Sequence, residues 1–120
     1  MQNKIALLYL FIVLPSCESN KNVIQGKVTY QDDSTHLEIA AENVTVYLYT
    51  SIVEYQDHHD RFDKSVITGP SGYYSMFPLA AGPYYIYSEK LDTNGKVLYS
   101  TGSSANLNGN QTKIVDLFLH

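Results

Sequence analysis

The 120-residue sequence has no tryptophan, one cysteine (Cys17) and one arginine (Arg61). A lone cysteine excludes a disulfide within the chain. Eight Lys and Arg face twelve Asp and Glu, for a formal net charge of −4. That balance leaves too little clustered positive charge to grip nucleic acid or anionic lipid headgroups, so neither is expected as a partner. The longest apolar run, Ile5 to Leu14, has ten residues, short of the roughly 20 that a helix needs to cross a bilayer. Helical periodicity is missing as well, because no stretch keeps a 3.6-residue apolar repeat for three turns.

What is present begins with that short apolar run. It follows Lys4 and precedes Leu14-Pro15-Ser16-Cys17, the layout of a secretory signal with its h-region. The last four residues resemble the lipobox of bacterial lipoproteins, in which cleavage falls before a cysteine that receives acyl chains; Pro15 is an unusual residue at its position. The resemblance implies a signal peptide over residues 1–16, lipidation at Cys17, and a tether over residues 17–22. Membrane attachment would then come from the lipid, since two or three acyl chains hold where one is marginal. The expected location is the cell envelope, most simply the outer membrane, on its periplasmic or surface face.

From Val23 to His120 apolar residues alternate with polar ones, with turn residues between the runs. Ile24, Gly26, Val28 and Tyr30 share one face of a first strand, and Val44, Val46 and Leu48 one face of a second. After a polar connection over Glu54 to Lys64, strands are expected over 65–68, 73–77, 84–90, 96–101 and 113–119. Gly69-Pro70-Ser71-Gly72 and Asn94-Gly95 are turn sequences with a conformational cause. Gly102 to Asn110 reads as a loop of small and polar residues. Seven short strands at this spacing predict an all-β domain over residues 23–120, a seven-stranded antiparallel β-sandwich.

Thr68, Gly72, Tyr74, Met76, Leu79, Gly82, Tyr84 and Ile86, read with Ile24-x-Gly26-x-Val28 and Ala41-x-x-Val44-x-Val46, resemble the carboxypeptidase-regulatory-like domain of the transthyretin-like β-sandwiches. The resemblance implies an accessory, adhesive or spacer module beside an enzyme or a transporter, rather than an enzyme. One transthyretin-like branch hydrolyses 5-hydroxyisourate and ends in a Tyr-Arg-Gly-Ser signature. This chain ends Leu117-Phe118-Leu119-His120, so that activity is not expected.

Asp57, His58, His59 and Asp60 bring imidazole and carboxylate together, the donor types of a zinc site. Adjacent histidines diverge in a strand or a helix, so the pattern favours a solvated loop, and neither metal nor cofactor is assigned. Asp92 to Gly95 lacks the later ligands of a calcium loop, and Ser71 lies outside any G-x-S-x-G elbow. Lys27 and Asp116, the residue types of an isopeptide cross-link, both alternate outward. Asp33-Ser34-Thr35 has the form of a short O-glycan acceptor.

Of eleven tyrosines, Tyr47, Tyr49, Tyr85 and Tyr87 are expected on outward strand faces. Such a surface can stack on sugar rings or meet a protein partner, since tyrosine offers apolar area and a hydroxyl together. Three readings follow: an accessory module for another envelope protein, a carbohydrate-binding or adhesive module on these tyrosines, and a metal-binding protein on the Asp57 to Asp60 loop.

Overall fold

A computed structural model describes residues 21–57 and 61–120. Residues 1–20, with the expected signal segment and Cys17, lie outside the described residues, as do His58, His59 and Asp60. Among the described residues nine strands and one short helix form in the order β1 (Asn22–Gln31), β2 (Glu38–Ala40), β3 (Thr45–Tyr49), α1 (Ile52–Asp57), β4 (Lys64–Ile67), β5 (Tyr73–Leu79), β6 (Gly82–Leu91), β7 (Val97–Leu107), β8 (Thr112–Ile114) and β9 (Leu117–Leu119). They build a β-sandwich of two sheets, as the alternation predicts.

β1 is the centre of the first sheet. β5 and then β2 pair antiparallel along one side of it. β8 and then β9 pair parallel along the other, Val23 opposite Thr112 and Tyr30 opposite Leu119. The second sheet runs β4-β3-β6-β7 and is antiparallel throughout. Mutual backbone hydrogen bonds between Ser100 and His120 join the sheets along one seam. Along the opposite seam β4 faces β5.

Period-two alternation explains the core. Ile24, Val28, Val46, Leu48, Met76, Ile86, Leu107, Leu117 and Leu119 are buried between the sheets. Each such side chain contributes about 1.5–3 kcal/mol relative to exposure. Gly72 sits where β5 ends its run on β1 and β2 takes over. Its φ of +78° is open to glycine, and a Cβ there would lie 2.6 Å from the Val28 carbonyl oxygen.

Four expectations need correction. The C-terminal strand is parallel to β1, not antiparallel, and Val115 and Asp116 divide it in two. The expected loop from Gly102 continues as β7 to Leu107, with Ala105 and Leu107 buried and paired to β6. The polar connection contains α1, whose Ser51-x-x-Glu54 start is a capping signature: the Glu54 N–H donates to Ser51 Oγ (3.4 Å). Asn22, expected in the tether, is the first residue of β1 and fully buried. Its Nδ2 donates to the Leu79 carbonyl (3.1 Å), and its Oδ1 accepts the Gly109 and Gln111 N–H groups (3.1 and 3.0 Å).

Candidate functional site

Two aromatic surfaces result, one on the outer face of each sheet. On the second sheet, Tyr47 and Tyr49 of β3 stand directly beside Tyr87 and Tyr85 of β6. Alternation places all four outward, as expected, but outward here does not mean accessible. Tyr49 is 2% and Tyr87 7% exposed.

The cover is the segment carrying α1. The Tyr55 ring meets Tyr49 edge-on at 6.0 Å and Tyr85 at 5.7 Å, while Phe62 packs on Tyr47 at 5.1 Å. A Cβ on Gly102 would collide with the Tyr55 hydroxyl, so the small residue in β7 gives this ring its seat. Asp63 pins the far end of the segment, accepting the N–H and hydroxyl of Thr50 at 2.8 and 2.9 Å. Burial, and then the hydrogen bond to the Glu89 carboxylate (2.8 Å), push the Tyr87 hydroxyl well above the ordinary tyrosine pKa. Tyr49 and Tyr87 are thus packed into a minor core, with Tyr47 and Tyr85 half-buried beside them.

The open surface is on the first sheet, along the seam where β4 faces β5. A groove of about 580 Å³ is lined by Gln25, Tyr73, Ser75 and Asp116, with Ile67 and Ile114 among its apolar walls. Tyr73, Ile67 and Ile114 are 61%, 65% and 67% exposed. The Lys27 ammonium lies 5.7 Å from the Tyr73 ring centroid, and the Lys27 N–H donates to Asp116 Oδ1 (2.9 Å). Lys27 and Asp116 thus touch through the backbone of one and the carboxylate of the other, without the side-chain approach that a cross-link would need. Sequence reasoning missed this groove because its residues come from four separate strands and turns, and only the sheet register brings them together.

The remaining candidates have structural work. Asp92 Oδ1 accepts the Asn94 and Lys96 N–H groups (2.8 and 2.9 Å), which closes a hairpin turn. Ser34 and Thr35 both donate their hydroxyls to Asp32 Oδ2 (2.8 and 3.0 Å), and these bonds hold the Asp32 carboxyl below the usual range. Asp57 is exposed at the end of α1. Among the described residues no three His, Cys, Asp or Glu side chains are placed to hold a metal.

No protein-family model matches the chain, and no curated protein matches it. Solved structures do resemble it. A Pseudomonas aeruginosa crystal structure, described as that of a candidate carbohydrate-binding protein, superposes with a TM-score of 0.62 at 17% identity, covering 84% of this chain and 90% of that one. A minor pilin of Streptococcus agalactiae superposes with a TM-score of 0.57 at 13% identity, covering 85% of this chain but 45% of the pilin. At these identities the likeness is one of fold: this chain is a β-sandwich of the kind found in a candidate sugar-binding protein and in part of a pilin.

Proposed function

We propose that this chain is a non-enzymatic binding module of the cell envelope, held at a membrane by acyl chains on Cys17 and taking carbohydrate as its ligand. The observation that carries the ligand class is the superposition on a candidate carbohydrate-binding protein across nearly the whole of both chains. The Leu14-Pro15-Ser16-Cys17 sequence supports the anchor, and the spacing of Gly72, Tyr74, Met76, Leu79, Gly82, Tyr84 and Ile86 supports a carboxypeptidase-regulatory-like member of the sandwich class.

Two measurements test this reading. The full chain should incorporate labelled palmitate and sediment with membranes, and Cys17→Ser should lose both while keeping residues 1–16. Normal processing and retention of Cys17→Ser would remove the anchor. Affinity electrophoresis through gels containing neutral polysaccharides should retard the protein, and unaltered mobility in every gel would count against the ligand class.

The likeness to a minor pilin favours a second reading, in which the module serves another envelope protein. Crosslinking in intact cells would then capture one dominant protein partner, and Cys17→Ser would not.

A further inference from the structure

We infer that the groove between β4 and β5 is the carbohydrate subsite, with Tyr73 as the stacking ring. The inference rests on the carbohydrate reading above and names the place where it is realised.

Four observations converge on the groove. Its volume, about 580 Å³, falls within the roughly 300–1,000 Å³ of small-ligand sites. Tyr73 presents a ring that is 61% exposed on a strand whose neighbouring residues, Tyr74 and Met76, are anchored in the core. The backbone that carries the ring is therefore fixed before any ligand arrives, which lowers the ordering cost of binding. By contrast, Tyr49 and Tyr87 on the other sheet are already covered.

The polar complement is the third observation. Neither the Gln25 amide nor the Ser75 hydroxyl has a side-chain hydrogen-bond partner among the described residues. Gln25 and Ser75 are paired neighbours on β1 and β5, so an amide and a hydroxyl stand side by side beside the ring. Asp116, its carboxylate fixed by the Lys27 N–H, adds an acceptor, and the Lys27 ammonium, which lies over one face of the ring, adds donors and leaves the other face to a sugar. Vicinal sugar hydroxyls each donate and accept, and such a mixed set matches them.

Fourth, Ile67 and Ile114 flank the ring with exposed apolar surface. A pyranose presents C–H faces as well as hydroxyls, so it can cover both kinds of wall at once. The groove is open to solvent and not an enclosed cavity, a shape that suits a neutral glycan chain.

The test uses the full chain in a detergent without a sugar headgroup, titrated calorimetrically with cellohexaose, maltohexaose, xylohexaose and mannohexaose. At least one should bind. Tyr73→Ala should weaken that binding by about tenfold or more, as loss of an aromatic contact does, and Tyr73→Phe should stay within about threefold. Gln25→Ala should weaken it without changing the melting temperature. Tyr73 is mostly exposed, so Tyr73→Ala should melt like the parent, and that melt keeps loss of binding separate from loss of fold. Binding that survives Tyr73→Ala unchanged would overturn the groove while leaving the carbohydrate reading intact. Absence of binding by the parent chain to all four would overturn both. Self-association abolished by Tyr73→Ala, with no glycan bound, would make the groove a contact between copies and overturn the inference.

Discussion

The Tyr74 hydroxyl donates a 2.6 Å hydrogen bond to the Val115 carbonyl, passing across Gly26, the residue of β1 that pairs with Tyr74. One side chain thus ties β5 to the C-terminal strand over the top of the strand between them. It does so where β8 gives way to β9, so the bond receives a carbonyl that the interrupted ladder would leave exposed to the core. Tyr74→Phe keeps the ring and removes the bond. It should destabilise the fold by about 1–3 kcal/mol, the cost of stranding a buried acceptor, read as a lower urea midpoint at unchanged slope.

The same contact has a pH signature. Burial first, and then the negative charge of Asp116, raise the Tyr74 hydroxyl above its ordinary pKa, and burial acts in the same direction on Tyr87. A group whose folded pKa is raised keeps its proton longer in the folded state. Its stabilisation is complete below the unfolded tyrosine value of about 10 and is lost as pH rises above it. Denaturation midpoints measured upward from pH 9 should fall beyond pH 10, and the fall should be shallower in Tyr74→Phe.

Gly26 should tolerate no side chain. A Cβ there would collide with the Val115 carbonyl and meet the Asp116 nitrogen at 3.2 Å, and both are backbone atoms that cannot swing away. Gly26→Ala should cost about 3 kcal/mol or more, at the upper end of overpacking. Amide exchange should show the loss first at Thr112 to Leu119, the strand forced off β1.

Asn22 offers a third variant. Its side chain makes one buried and two part-buried hydrogen bonds that join the start of β1 to the end of β5 and to the turn before β8. Asn22→Ala should lower stability by about 2–4 kcal/mol, since it strands two N–H groups and one carbonyl. A change below about 0.5 kcal/mol would mean that water replaces the amide at no cost.

The cover over the tyrosines can be lifted separately. Tyr55→Ala should destabilise by about 1–3 kcal/mol and expose Tyr49 and Tyr85. The chain has no tryptophan, so tyrosine dominates its fluorescence, and acrylamide quenching should rise in this variant. Gly102→Val should raise it too, by pushing Tyr55 from its seat.

Much of the core was readable in advance because alternation is local. Period two alone puts Ile24 and Val28 on one face of the first strand and Val44, Val46 and Leu48 inward on the second, and all five are buried. Direction of pairing leaves no such local trace: Val115, Leu117 and Leu119 face inward whether their strand runs parallel or antiparallel to β1. Outward placement of Tyr49 and Tyr87 was also readable, but their burial depends on a six-residue helix too short for periodicity to reveal. Only the Ser51-x-x-Glu54 pair hinted at it. The groove was invisible for a different reason. Gln25 and Asp116 are far apart in sequence, and they share a wall only through the parallel pairing of β8 and β9 with β1.

That parallel pairing also decides how the domain bears load. β1 begins at Asn22 and lies between strands on both sides, so tension applied to its amino end meets β5 and the C-terminal strand together. Because β9 runs parallel to β1, pulling the two chain ends apart slides the strands past each other. The ladder bonds stand across the direction of pull and must fail in shear, many at once, instead of unzipping one by one. The sandwich would therefore keep its shape under a pull along β1 that would peel a hairpin open.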